Sequence, residues 1–284
     1  METRVSSSSK EVIISDNQPA VLIGERINPT GKKELAEALK TGDIEVVRKE
    51  ALAQTQAGAD IIDVNVGMFG IDEVALLPKV VQAVMETVDT PLCIDSSNPD
   101  ALEAALKVYR GKPLINSVTG EEHSLRRILP LVKSSGAAVI GLVQDDDGIP
   151  KDTAGRVRIA HKIVERAEMA GISREDLVID CLAFSVGAEP DSGVAVIESI
   201  QKIKAELGVN ITLGASNISF GLPDRESINN AFVVIATYAG ATCLIVDVAR
   251  VRPIILATDL ILGRDRYARR YIEAYRERMR YEKQ

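Results

Sequence analysis

The sequence predicts an α/β chain closed into a (β/α)8 barrel, and three observations predict it. Eight short apolar runs rich in Val, Ile and Leu recur along the chain. Each is followed by an amphipathic stretch with helical spacing, and the units together occupy about 250 residues, the usual size of such a barrel. Near-continuous apolar strands that alternate with helices belong to a parallel sheet covered by helices. A doubly wound open sheet is the structural rival, because a pattern read along one dimension does not reveal closure. No GxGxxG follows the first run, which removes the usual reason to prefer a dinucleotide fold.

Taken in order, METRVSSSSKEVIISDNQPA has no apolar core of signal-peptide length and carries a serine run. Residues 1–18 are therefore expected to form a flexible arm ahead of a barrel spanning 19–284. The first strand is VLIGERIN (21–28), and helical EVVRKEALAQTQAG (45–58) leads to IIDVNVG (61–67). DEVALLPKVVQAVMETV (72–88) leads to PLCIDSS (91–97), followed by PLINSVTG (113–120), AAVIGLVQ (137–144) and LVIDCLAF (177–184). ITLGASN (211–217) precedes helical DRESINNAFVVIATYAG (224–240), and CLIVDVA (243–249) completes the eight. The longest apolar stretch, 231–246, stops short of the ~18 to 20 residues of a membrane span and is interrupted by Gly240, so it reads as a helix end, a turn and a strand. The basic segment 264–280 puts Tyr267, Tyr271 and Tyr275 at helical spacing, which reads as a packing face with arginines to solvent rather than as an RNA surface.

A chain with 46% hydrophobic and 26% charged residues is ordinary globular material, and its net charge of −7 argues against a nucleic-acid partner. Small-molecule or protein partners are expected, without nucleic acid or membrane. Cys93, Cys181 and Cys243 are far apart in apolar runs, so they read as buried free thiols of a reduced, cytoplasmic compartment.

In such barrels the chemistry sits at the C-terminal strand ends. Those ends carry Glu25 and Asn28, Asp63 and Asn65, Asp95, Asn116 and Ser117, Asp180, Asn217, and Asp247. Any one Asp or Asn is equally well read as a helix cap or turn former. Their presence at seven of the eight ends weakens that reading as a joint account. The ring has no Cys or His, and His123 and His161 fall in predicted helices, so no tightly bound metal is expected. Phosphate-binding Lys and Arg are missing from the ends, as are a Ser–His pair and a Schiff-base lysine. What remains is recognition of a neutral heterocycle by hydrogen bonds. A 2-amino-4-oxopyrimidine presents two adjacent N–H donors that one carboxylate accepts together, with amides serving its other groups. Pterins fit that description.

GERIN, DVNVG, CIDSSN, INSVTGEE, GIPKD, VIDCLAF and GASNIS resemble, in order and spacing, the pterin-binding methyltransferase family. That family includes the methyltetrahydrofolate:corrinoid/iron–sulfur protein methyltransferases and the folate-binding domain of cobalamin-dependent methionine synthase. The resemblance runs from about Val21 to the final helix. It implies a homodimeric barrel that binds 5-methyltetrahydrofolate at the strand ends through Asp95, Asn116 and Asp180, with Gly214, Ser216 and Asn217 in the loop after the seventh strand. Asn217 would then be the catalytic residue, orienting a hydrogen bond to N5. An amide is no general acid near neutrality, so the N5 proton would come from solvent through a neighbouring carboxylate. Phe220 stands where some relatives have glutamine, closer to the methionine-synthase pattern.

The chain has no cobalamin-binding DxHxxG motif, so the corrinoid is expected on a separate protein and methyl transfer is expected in either direction. Two rivals remain open. Dihydropteroate synthase shares the pterin pocket, and its INDVSG resembles INSVTG here, but its SRK motif has no counterpart in GASN. A non-catalytic module that binds a pterin or a corrinoid protein is the other.

Overall fold

A computed structural model describes residues 1–281; the last three positions of the expected barrel domain, 282–284, lie outside the described residues. The N-terminal segment is not a loose arm. It folds as an antiparallel hairpin of β1 (Glu2–Ser6) and β2 (Glu11–Ser15). The serine run makes its turn: Ser7 N–H donates to Lys10 O at 2.9 Å, and Ser7 Oγ accepts from Lys10 N at 3.0 Å. One face of the hairpin carries Val5, Val12 and Ile14 into the lower end of the barrel. Asn210 Nδ2 ties it there by donating to Thr3 Oγ1 and to Ile14 O, both at 2.9 Å. Burial of that apolar face is the force that orders the segment.

Eight parallel strands follow: β3 (Val21–Ile27), β4 (Ile61–Asn65), β5 (Leu92–Asp95), β6 (Leu114–Thr119), β7 (Ala138–Leu142), β8 (Leu177–Asp180), β9 (Asn210–Thr212) and β10 (Cys243–Val246). They pair in chain order, with β10 against β3. Between β9 and β10, Thr242 N–H donates to Ile211 O at 3.0 Å and Ile245 N–H to Leu213 O at 3.1 Å. The sheet is therefore closed, and the open-sheet alternative is excluded.

Strand side chains alternate between faces with a period of two. The outward set, including Leu22, Ile62, Ile94, Ile115, Val139, Ile179 and Leu244, packs into the main core with the surrounding helices. The inward set, including Ile23, Ile61, Cys93, Leu114, Val178 and Cys243, fills the barrel with the hairpin. One step of two further along β3, β4, β5, β6 and β8, the inward position is Glu25, Asp63, Asp95, Asn116 and Asp180, while β7 and β10 carry Leu142 and Ile245 there. The same alternation that builds an apolar floor thus aims polar groups at the mouth.

The helices are α1 (Lys33–Thr41), α2 (Glu45–Gln56), α3 (Glu73–Thr87), α4 (Pro99–Val108), α5 (Glu122–Ser135), α6 (Thr153–Met169), α7 (Ser192–Leu207), α8 (Arg225–Ala239), α9 (Val248–Ile261) and α10 (Arg269–Tyr281). Asp72, Asn98 and Asp152 cap α3, α4 and α6 by accepting backbone N–H bonds, the bland role considered for the strand-end residues. Tyr267 departs from the expected stripe. It sits in a short 3-10 turn with a φ of 59°, fully exposed, and only Tyr271 and Tyr275 share α10, both partly exposed. Among the described residues no helix is long and apolar enough to cross a membrane. The three cysteines are free and buried.

Candidate active site at the strand ends

Register places Asn65, Asp95 and Asn116 side by side on β4, β5 and β6. Asn65 Nδ2 donates to Asp95 Oδ2 at 2.8 Å, while its Oδ1 accepts from Gly67 N at 2.7 Å, so this asparagine both holds its loop and aims Asp95. Asn116 Nδ2 donates to Asp63 Oδ1 at 3.2 Å, which leaves the Asn116 carbonyl oxygen as an acceptor. Across the mouth on β8, Asp180 Oδ1 accepts from Leu182 N at 2.7 Å. Beneath that turn lies Arg156 of α6, fully buried, with Nη1 donating to Cys181 O at 3.0 Å and Nε to Pro150 O at 2.9 Å. The guanidinium keeps one positive charge near Asp180.

Burial dominates the electrostatics. It pushes the Asp180 carboxyl up from 3.8 to about 7, against the Leu182 N–H and the Arg156 charge, which both pull it down. Asp63 and Asp95 are also raised, by burial first; Asp95 further raises Asp63, whereas the amide of Asn65 opposes the rise at Asp95. Glu25 is raised by burial against the hydrogen bond from Ser216. Asp95, raised to about 6, and Asp180, raised to about 7, change protonation near neutrality, which suits them to accept donors from a ligand or to pass a proton.

The loop after β9 approaches from the other side. A side chain at Gly214 would bring a Cβ within 3.3 Å of Asn217 Nδ2, so glycine makes room for that amide. Gly221, with φ of 79°, makes the turn beyond it. Ser216 Oγ donates to Glu25 Oε1 at 2.9 Å. Asn217 is exposed in a 3-10 turn in which Asn217 N–H donates to Gly214 O at 3.3 Å and Phe220 N–H to Asn217 O at 3.1 Å, with Arg225 Nη2 donating to Ser216 O at 2.7 Å beside it. Its side chain makes no hydrogen bond among the described residues and so does not serve to hold its own loop.

Asp95, Asn116, Asp180, Gly214, Ser216 and Asn217 therefore share the C-terminal mouth. Asn28 does not join them functionally: its Oδ1 accepts from Thr30 N at 2.9 Å, a turn bond. Asp247 is engaged by Arg26 at 3.9 Å and Arg250 at 3.5 Å. Arg156 was not visible in the strand-end reading because it comes from a helix. Its signal is an arginine between Gly155 and Val157 on the buried face of α6. Among the described residues no group of three or more His, Cys, Asp or Glu is arranged to hold a metal ion.

The profile of the family described as pterin binding enzyme matches residues 24–247. The chain belongs to the pterin-binding enzyme family. Within or beside it, the chain is 33% identical over 267 residues to the methylcorrinoid:tetrahydrofolate methyltransferase of Eubacterium limosum, covering 90% of this chain and 96% of that protein. It is 31% identical over 267 residues to the methionine synthase of Mycobacterium leprae, covering 89% of this chain but 22% of that protein, so it spans about a fifth of the synthase. Among solved structures, Xanthomonas albilineans dihydropteroate synthase with 4-aminobenzoic acid superposes with a TM-score of 0.72 at 22% identity, covering 92% of this chain and 98% of that one. At that identity the likeness shows the barrel fold alone.

Proposed function

We infer that the chain is a methyltransferase that moves the N5-methyl group of 5-methyltetrahydrofolate to the Co(I) corrinoid of a separate corrinoid protein, or runs the reverse transfer. The observation that carries this reading is an arc of buried carboxylate and amide acceptors at the mouth of a pterin-binding enzyme barrel. It is supported by a relative of nearly equal length named for methyl transfer between a methylcorrinoid and tetrahydrofolate. Asp180 accepts the paired N–H donors of the pyrimidine ring, and Asp95 and Asn116 serve its remaining polar edge. Gly214 and Ser216 frame the opposite wall. Asn217, with a free amide, hydrogen-bonds N5 and strengthens that bond as N5 gains protonated character. Because an amide does not titrate, the proton reaches N5 from solvent through one of the burial-raised carboxyls. The partner's cobalt supplies the nucleophile, or the methyl group in the reverse direction. A cytoplasmic homodimer without a tightly bound metal completes the proposal, and exposed Val234, Ile235 and Tyr238 on α8 suit a subunit contact.

Single-turnover mixing of the protein with 5-methyltetrahydrofolate and a Co(I) corrinoid protein, followed by corrinoid absorbance, tests the reading. Stoichiometric methylation of the corrinoid is the expected result. Tight folate binding with no transfer in either direction to several such acceptors makes the chain a binding module instead.

A further inference from the structure

A buried arginine is costly unless its charge is used, and Arg156 forms no salt bridge among the described residues. It is the largest side chain wholly removed from solvent. Its Nε and Nη1 donate to the carbonyls of Pro150 and Cys181, its Nη2 is buried without a partner, and its guanidinium carbon lies 5.7 Å from the centre of the Phe184 ring. A methionine or leucine would fill that space without leaving a donor unmet. Two segments are nevertheless shaped around the guanidinium. Gly155 lacks the Cβ that would fall 2.6 Å from Pro150 Cβ, so the loop ahead of α6 folds in and brings the Pro150 carbonyl to Nε. After β8, Leu182 takes a left-handed φ of 50°, which an apolar L-residue adopts only at a cost. That turn presents Cys181 O to Nη1 and Leu182 N–H to Asp180 Oδ1, the latter at 2.7 Å.

Two carboxylates lie in the field of that charge, Asp152 and Asp180. Asp152 is exposed and uses Oδ1 to cap α6, accepting from Gly155 N at 2.8 Å. Asp180 is the buried one. A pyrimidine that offers two adjacent N–H donors needs two acceptor oxygens; a carboxylate has them, and the protonated acid has turned one into a donor. We propose that Arg156 is a positioning residue of the pterin site, holding the Cys181–Leu182 turn that orients Asp180 and supplying the charge that draws Asp180 toward its two-acceptor form. It acts through Asp180 and not on the substrate, and the assignment rests on the folate reading given above. Among the described residues Arg156 is the one charged side chain whose field acts on Asp180. The flanking strands β7 and β9 bring Leu142 and Thr212 beside it, and the backbone N–H of Gly214 faces it. The thiols of Cys181 and Cys243 are pushed up by burial and stay neutral.

Calorimetry of 5-methyltetrahydrofolate binding from about pH 5 to about pH 9, in wild type, Arg156→Gln and Arg156→Lys, tests the proposal. Glutamine keeps a donor for one carbonyl and removes the charge; lysine keeps the charge and gives up the planar fork. Binding favours ionised Asp180, so wild-type affinity should climb with pH and level off above about 7. In Arg156→Gln the carboxyl loses an opposite charge, and the midpoint of that climb should move up by about one pH unit. Affinity then drops about tenfold on the acid side of the midpoint and returns close to the wild-type value near pH 9. Arg156→Lys should keep the wild-type midpoint. Asp95, raised to about 6, and the ligand itself titrate in all three proteins, so a difference between the profiles belongs to Arg156. Loss of affinity by the same factor at every pH, with the midpoint unmoved, makes Arg156 a packing residue and overturns the proposal. If Arg156→Gln does not fold, Leu182→Gly/Arg156→Gln takes its place, because glycine holds a φ of 50° without the arginine. An unfolded double variant also overturns the proposal, since the arginine then serves the fold itself. Wild-type protein that does not bind 5-methyltetrahydrofolate removes the folate reading, a failure visible before any variant is made.

Discussion

On the proposed reading Asp180 carries two opposing demands: it is buried where it would select a heterocycle, and burial penalises its charge. Its folded carboxyl is raised from 3.8 to about 7, so the ligand-free fold is favoured by this group below the unfolded value and loses that contribution as pH rises through about 7. Asp180→Asn should therefore stabilise the ligand-free protein near pH 8, by roughly 2 to 4 kcal/mol at most, with the gap closing toward pH 4 in urea melts across that range. The same variant should bind folate at least about tenfold more weakly, because one of the two pyrimidine donors loses its acceptor. In wild type, binding favours the ionised carboxylate and should release a fraction of a proton near pH 7, read by calorimetry in buffers of different ionisation enthalpy. Asn217 answers to a different observable. Asn217→Ala should lower the single-turnover methyl-transfer rate roughly 10²- to 10³-fold with a much smaller change in folate affinity; a near-normal rate in a folded variant ends its catalytic assignment. The strand-end set was legible because inward alternation and chain position together mark it. Arg156 and Arg225 were not, since helix residues reach the mouth only through three-dimensional packing.

At the scale of elements, the eight barrel strands were legible because each is buried on both faces and written as an apolar run. The hairpin was not. Its strands are short and half polar, ETRVS and EVIIS, and the serines between them suggest disorder until the open lower end of the barrel supplies an apolar surface to cover. Thr3, Val5, Val12 and Ile14 nevertheless alternate as an edge-packed pair should. Ile14, fully buried beneath the inner core, gives the measure of that docking. Ile14→Ala should cost about 2 to 5 kcal/mol in equilibrium unfolding, as truncation of a well-packed aliphatic side chain does. A loss near zero would mean that the hairpin adds nothing to the barrel. Tyr267 failed as part of a helical stripe for a local reason: residue spacing carries no record of a left-handed backbone, and its positive φ breaks the helix ahead of α10.

For the molecule as a whole, closure between β9 and β10 together with the hairpin beneath gives a chamber with a floor. Solutes reach Asp180 from the strand ends alone, and on the folate reading two visitors need that one doorway, the folate and the protein that carries the corrinoid. A shared doorway sets a queue. Folate has to enter before its carrier docks and leave after the carrier departs, so turnover is sequential and the last product out is the folate. A fluorescent folate chased from the enzyme by stopped flow should dissociate more slowly when an excess of corrinoid protein is present, and an unaltered off-rate would place the carrier elsewhere on the surface. The timing of the reaction cycle would then be written by the two N-terminal strands, which lie at the far end of the barrel and touch none of the reacting atoms.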